Sequence, residues 1–133
     1  MKMNLKLVVL ISASLGLGVI GVGYLVSPQT MYGLYGIDLD SVNEANMVRG
    51  AYGGLFLGFA VLLFLGARRA DLATPALVAL LTFMAGFALG RIVSVVVDGM
   101  PSPLILLLIA FEVVYCALAA SLLARRDPSH DSA

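Results

Sequence analysis

Residues 104–124 read LILLLIAFEVVYCALAASLLA and carry a single charged side chain, that of Glu112. An α-helix needs about 20 apolar residues to cross roughly 30 Å of hydrocarbon, so this stretch is long enough to span a membrane. Three more apolar stretches of similar length precede it, over residues 7–26, 44–66 and 75–97. The sequence therefore predicts an all-α integral membrane protein, a four-helix bundle that forms a single domain over residues 1–133.

The composition supports this class and excludes others. Of the 133 residues, 61% are hydrophobic and 12% are charged, whereas a soluble domain has about 45–50% apolar and about 25% charged residues. A soluble enzyme and a disordered chain are therefore excluded. The formal net charge of zero argues against a nucleic-acid partner. With one cysteine, Cys116, and one histidine, His130, we expect no metal site and no cofactor held by such ligands.

The positive charges predict the orientation of the spans. Lysine and arginine precede the first stretch, separate the second from the third, and follow the fourth: Lys2, Lys6, Arg68, Arg69, Arg125 and Arg126. The other two connections, residues 27–46 and 98–103, contain none. The positive-inside rule then places both termini in the cytoplasm. The first apolar run is longer than that of a signal peptide, so we interpret it as an uncleaved anchor.

The first connection contains two helix signals. Ser27 followed by Pro28 is typical of a helix start, and it predicts a short interfacial helix over residues 29–34. Ser41 and Glu44 have capping-box spacing and predict the start of the second span.

Besides Glu44, at the start of the second stretch, three side chains are charged inside the apolar stretches: Arg49, Arg91 and Glu112. Each lies seven or eight residues inside the expected outer end of its helix, which corresponds to a depth of about 10–12 Å. A charge at such a depth costs several kcal/mol unless it is paired. We therefore predict a network that faces the interior of the bundle, with Arg91 and Glu112 as its central pair because their helices are consecutive and antiparallel.

Four further side chains are candidates to balance or hydrogen-bond this network: Asp98, Glu44, Tyr52 and Tyr115. Two interpretations of the network stay open. In the first, it only fixes the order and register of the helices. In the second, the excess arginine charge binds an anionic group, such as a lipid phosphate or the carboxylate of a small amphiphile. For Glu44, the capping role is sufficient by itself.

Small residues recur at four-residue spacing on two of the spans: Gly50, Gly54 and Gly58, then Gly86 and Gly90. Within lipid, such stripes let helix backbones approach closely. We expect them to pack helices within one chain. The alternative is that one stripe forms a homodimer or docks on a larger membrane complex.

Several of these residues also carry a family resemblance. The string Arg49-Gly50-Ala51-Tyr52-Gly53-Gly54, then Arg91, the string Asp98-Gly99-Met100-Pro101, and Glu112 resemble a family of small four-helix bacterial membrane proteins catalogued as domain of unknown function 4345. The resemblance implies a cell-envelope location and the same bundle, so we expect the protein in the bacterial inner membrane. The resemblance brings no reaction. A weaker likeness is to DoxX-like membrane proteins, some of which are associated with quinone-linked redox systems.

The protein is predicted to be a non-enzymatic module that is embedded in the membrane and has membrane lipids as partners. Such a module would hold an amphiphilic anionic ligand or serve as a subunit of a larger membrane complex, and lipid or quinone binding is expected. The alternative is a small transporter or membrane enzyme that acts on an anionic substrate through Arg49, Arg91 and Glu112. Glu112 could act as an acid or base, but the sequence offers nothing that completes a catalytic mechanism with it.

Overall fold

A computed structural model describes residues 4–125 of the chain, and this part is helical without any strand. Its helices are α1 (Leu5–Val26), α2 (Pro28–Gly33), α3 (Val42–Val48), α4 (Leu55–Arg68), α5 (Ala70–Asp98) and α6 (Pro103–Ala124). A π-helical segment, Arg49–Gly54, joins α3 to α4. Lys2, Arg126 and His130, which entered the sequence analysis, lie outside the described residues.

Four helices of the described chain are long and apolar enough to cross a membrane: α1, the continuous helix Val42–Arg68, α5 and α6. The prediction of an all-α, four-span protein is confirmed. The short helix after Ser27-Pro28 is confirmed as α2. The capping box is also confirmed, because the Ser41 side chain accepts from the Glu44 backbone N–H and Glu44 accepts from that of Ser41.

The buried core lies between α1, α4 and α5. Its largest fully buried side chains include Leu10, Leu63, Leu77 and Leu80. α6 packs mainly along α5 and contributes one fully buried residue, Ala119, to this core. The fully buried centre of the core is therefore mostly aliphatic, and Phe56 and Met84 extend the core toward other rings.

Small side chains allow α1 to lie close to α4 and the π-helical segment. The Ser14 hydroxyl donates to the carbonyl oxygen of Ala60 over 2.7 Å. A Cβ added to Gly21 would lie 3.1 Å from the carbonyl oxygen of Gly53. Because lipid provides no hydrophobic drive between helices, such close approaches and polar contacts stabilise the pair.

The connection between the second and third spans is shorter than the sequence suggested. α5 begins at Ala70, so Pro75 lies inside the helix instead of starting it. Arg69, in extended conformation, is the single residue between α4 and α5. Gly66 makes this tight turn feasible, because a Cβ there would collide with the Cβ of Ala76. Pro75 is the sixth residue of α5, past the first turn, so it removes one backbone hydrogen bond of the helix. Membrane-spanning helices tolerate such a proline where neighbouring groups satisfy the freed carbonyl.

The predicted glycine stripes do not pack helices within the described chain. All five residues are exposed: Gly50, Gly54, Gly58, Gly86 and Gly90. A Cβ at four of them would meet nothing within 4 Å, and at Gly54 it would meet only the carbonyl oxygen of Arg49. The prediction of packing within one chain is therefore wrong for these stripes. Four-residue spacing places residues on one helix face without specifying which face turns inward, and in α4 the inward face carries Phe56 and Leu63. Docking of the stripes on a second protein stays a prediction.

Candidate functional site

A cavity of about 260 Å³ lies between the C-terminal halves of α1 and α5, the N-terminal half of α6, and the π-helical segment. α2 and the loop that follows it also contribute to its walls. Seven of its lining side chains are aromatic: Tyr24, Tyr32, Tyr35, Tyr52, Phe56, Phe83 and Phe87. Two are charged, Arg91 and Glu112. We call this feature the aromatic cavity.

The two charged side chains form an ion pair in the cavity wall. Arg91 Nε donates to Glu112 Oε1 over 2.8 Å, which joins α5 to α6. The side chain of Arg91 is 26% exposed and that of Glu112 is 11% exposed. The second carboxylate oxygen, Oε2, is buried and has no hydrogen-bond partner among the described residues. The pair therefore uses only part of the hydrogen-bonding capacity of either side chain.

The aromatic side chains form a continuous row that ends at the ion pair. The ring centroids of Tyr32 and Tyr24 are 5.8 Å apart, and those of Tyr24 and Tyr52 are 5.3 Å apart. From Tyr52 the row continues through Phe56, at 5.7 Å, to Phe87, at 5.8 Å. The guanidinium carbon of Arg91 lies 5.9 Å from the centre of the Phe87 ring, within reach of a cation–π attraction.

Helix periodicity places these rings on the cavity. Phe83, Phe87 and Arg91 follow each other at four-residue spacing on α5, so their side chains share one face. Tyr52 and Phe56 have the same spacing across the junction between the π-helical segment and α4.

Burial raises the pKa of Tyr32, on α2, to about 12. Its side chain therefore stays a neutral phenol that can donate a hydrogen bond.

The π-helical segment coincides with the Arg49–Gly54 string that the sequence analysis singled out. π-Helical turns inside α-helices are rare and occur frequently at functional sites. Here the segment directs Tyr52 into the cavity wall. Arg49 has a different position, because its Nε donates to the carbonyl oxygen of Leu25 over 3.0 Å.

Arg49 is therefore not brought to the pair of Arg91 and Glu112. It lies on an exposed surface beside the loop before α3, together with Asp40 and Asn46. Its hydrogen-bond acceptor is a backbone carbonyl at the end of α1 and not a carboxylate. The sequence placed Arg49 at the same depth as the other two charges, but equal depth does not specify the direction in which a side chain points.

The other predicted partners are also dispersed. Asp98 accepts from the Ser94 hydroxyl at 2.8 Å, one turn away on its own helix. Tyr115 donates to the Ser12 hydroxyl at 3.0 Å and so joins α6 to α1. Glu44 accepts from the backbone N–H groups of Asp40 and Ser41. Of the candidates for the network, the cavity thus contains Arg91, Glu112 and Tyr52.

Sequence reasoning missed most of the aromatic wall. Neither Tyr24 nor any phenylalanine was among the candidate residues. The four-residue spacing of Phe83, Phe87 and Arg91 is a signal that could have identified the α5 face. For Tyr24 and Tyr32 no comparable signal exists, because their contact depends on how the chain turns between α1 and α2.

Taken together, the fold and the cavity define a four-span helical protein with an aromatic-lined internal site. Residues 5–123 match the family described as a domain of unknown function (DUF4345), and the chain belongs to this family. The resemblance inferred from the Arg49–Gly54 string and the later charges is thereby confirmed. No curated protein and no solved structure matches the chain. The likeness to DoxX-like proteins finds no support in these comparisons and stays a prediction.

Proposed function

We propose that this protein is a non-enzymatic membrane module that holds one amphiphilic ligand in the aromatic cavity. The polar head of the ligand lies at the pair of Arg91 and Glu112, and its apolar body lies among the rings. Ligand sites are commonly concave, mostly apolar, and equipped with a few converging polar groups. The observation that carries the proposal is a cavity of about 260 Å³ whose otherwise apolar and phenolic wall contains one ion pair.

The volume is appropriate for part of an amphiphile. An engineered cavity of about 150 Å³ in another protein admits a benzene ring. The aromatic cavity is larger, so it could hold a ring-sized head and a few methylene groups. Longer tails would leave the cavity through its opening and lie along the apolar outer surface of the helices.

We also propose a bacterial inner-membrane location with both termini in the cytoplasm. Lys6, Arg68 and Arg69 line one shared depression at the junction of α4 and α5. Their clustering at one end of the helices supports this orientation under the positive-inside rule. Reporter fusions at each terminus that fluoresce only in the cytoplasm would test it, and a dark C-terminal fusion would contradict it.

Native mass spectrometry of the protein extracted from its own membrane tests ligand binding. We expect one bound amphiphile per chain, and we expect Leu108→Trp, which fills the cavity from α6, to displace it. The control is Arg69→Gln, which alters an exposed ion pair with Asp71 about 33 Å along α5 from Arg91. Equal ligand occupancy in the wild type and the folded Leu108→Trp variant, or no ligand in either, would contradict the proposal.

A second candidate function is supported by the exposed glycine stripes. A shallow depression between α5 and Tyr52 of the π-helical segment contains Thr82, Gly86 and Gly90 and borders the aromatic cavity. Small residues favour close contact between helices in lipid. The protein would then be an accessory subunit of a membrane complex or a homodimer. Migration of mildly extracted protein on native gels tests this role, because Gly86→Leu should dissociate such an assembly, and unchanged migration of the variant would contradict it.

A further inference from the structure

We infer that the ligand head group is uncharged and carries a hydroxyl group that hydrogen-bonds to both Arg91 and Glu112. This inference rests on the proposed ligand-binding function and specifies the chemical class of the ligand. It departs from the anionic ligand that the sequence suggested. Three independent features of the cavity support it: its net charge, its unused hydrogen-bonding capacity, and its aromatic walls.

The first feature is the charge balance of the cavity. Arg91 and Glu112 contribute one positive and one negative charge, and the other lining side chains are apolar or phenolic. The excess positive charge expected from Arg49 is absent here, because Arg49 is bonded to the Leu25 carbonyl on another surface. An anionic head would lose its hydration without gaining a net opposite charge, and that loss is costly in an apolar site.

The second feature is the hydrogen-bonding capacity that the ion pair leaves unused. Glu112 accepts one bond through Oε1, while Oε2 is buried and unpartnered among the described residues. A guanidinium has five N–H donors, and one of those of Arg91 is used in the pair. The terminal torsion of a glutamate is broad, so a small rotation can turn either oxygen toward the cavity.

A hydroxyl group matches this arrangement better than the common alternatives. It donates one hydrogen bond and accepts others, so it can donate to Glu112 and accept from Arg91 at the same time. A ketone or ether oxygen accepts only and would leave the carboxylate oxygen unsatisfied. A carboxylate or phosphate dianion also accepts only, and its charge would repel Glu112.

The third feature is the shape of the wall beside the pair. Phe87 lies next to Arg91, and Phe83 and Phe56 pack against Phe87 with centroid distances of 4.9 and 5.8 Å. Aromatic rings favour offset or edge-to-face contacts with other rings at such distances. A hydroxylated ring with an apolar tail therefore suits the cavity, with the hydroxyl group at the ion pair and the ring packed against the phenylalanines that line the wall.

Three probes with one ring and one tail test the inference: 4-octylphenol, 4-octylanisole and 4-octylbenzoate. At pH 7 the phenol is neutral and donates, the anisole is neutral and cannot donate, and the benzoate is anionic. Their dissociation constants are measured by calorimetry on the full chain in lipid nanodiscs, with empty nanodiscs as the partitioning control. We expect the phenol to bind about tenfold tighter than either other probe, as a hydrogen bond to a charged group implies.

The matched variant is the double substitution Arg91→Met with Glu112→Leu. It removes both charges together, so no buried charge is left without its partner, and such replacements usually leave the fold stable. In this variant we expect the phenol and the anisole to bind within about twofold of each other. If the preference for the phenol were kept in the double variant, the assignment of the hydroxyl contact to this pair would be overturned.

The outcomes separate this inference from the proposed function. Tightest binding of the benzoate would overturn the neutral-head inference, and the proposed function would stand with an anionic ligand. Equal binding of all three probes would overturn the inference in the same way. Binding of none of the probes would overturn it as well, and the proposed function would fail with it only if native mass spectrometry also found no co-purified amphiphile.

Discussion

Arg49 donates through Nε to the carbonyl oxygen of Leu25 over 3.0 Å and thereby ties the π-helical segment to the last turn of α1. The last carbonyl groups of a helix have no partner within the helix itself. A cation at that position also interacts favourably with the helix dipole. Arg49 thus stabilises the junction of the first two spans, and it does so outside the aromatic cavity.

From this contact we predict that Arg49→Met lowers the free energy of unfolding by about 1 kcal/mol, since it removes one charge-assisted hydrogen bond at a partly solvated site. Ligand occupancy should not change. Thermal unfolding in detergent and native mass spectrometry of the same sample measure the two effects. Loss of the ligand in a folded Arg49→Met protein would contradict the placement of Arg49 outside the site.

The pair of Arg91 and Glu112 should couple in stability. Glu112→Leu leaves the arginine without its partner, and we expect a loss of about 2–4 kcal/mol. The exchange Arg91→Glu with Glu112→Arg should recover part of that loss, because opposite charges again meet between α5 and α6. Melting temperatures of Arg91→Glu, of Glu112→Arg and of the variant that combines them test the coupling. Strictly additive losses would show that the two side chains do not interact.

Two glycines of α4 provide a matched pair of substitutions. Gly66→Ala should cost about 1–3 kcal/mol, because its new methyl group collides with Ala76 and overpacks the turn. Gly58→Ala meets nothing within 4 Å, so it should be neutral or slightly stabilising through better helix propensity. Thermal unfolding of the monomeric, detergent-solubilised protein compares them. A larger loss for Gly58→Ala than for Gly66→Ala would contradict the described helix faces.

The hydroxyl of Ser14 should stabilise the contact between α1 and α4. Removing its bond to the Ala60 carbonyl by Ser14→Ala should cost about 0.6 kcal/mol, the average for interhelical hydrogen bonds in membranes. The control is Ser121→Ala, because the Ser121 hydroxyl donates to the Leu118 carbonyl of its own helix. Equal melting temperatures for the two variants would show that the contact contributes nothing to the helix pair.

Much of the architecture could be predicted from the sequence because it depends on local signals. Apolar length determines the four spans, and Ser41 with Glu44 specifies the start of the second one. The contact of Arg91 with Glu112 could be anticipated because consecutive antiparallel helices bring residues at equal depth in the membrane close together. Each of these inferences requires only spacing along one helix or between two neighbouring helices.

The remaining features depend on helix rotation and on backbone acceptors. Nothing in the spacing of Gly50, Gly54 and Gly58 indicates that Phe56 occupies the inward face instead. The partner of Arg49 is a carbonyl group, and every residue has one, so no side-chain pattern identifies Leu25. The same limit applies to the ring of Tyr24, which reaches the cavity through a turn in the chain.

The π-helical segment contains one residue more than a regular helix would need, and that residue sets the relative twist of the span's two halves. Removing a residue between Gly50 and Gly54 would let the ladder of backbone bonds run uninterrupted. It would also turn α3 by about 100° relative to α4. Arg49 would then swing away from Leu25. The second span therefore cannot have both a regular α-helical backbone and the contact between Arg49 and Leu25. The chain keeps the π-helical segment, and with it the contact that joins its first two spans.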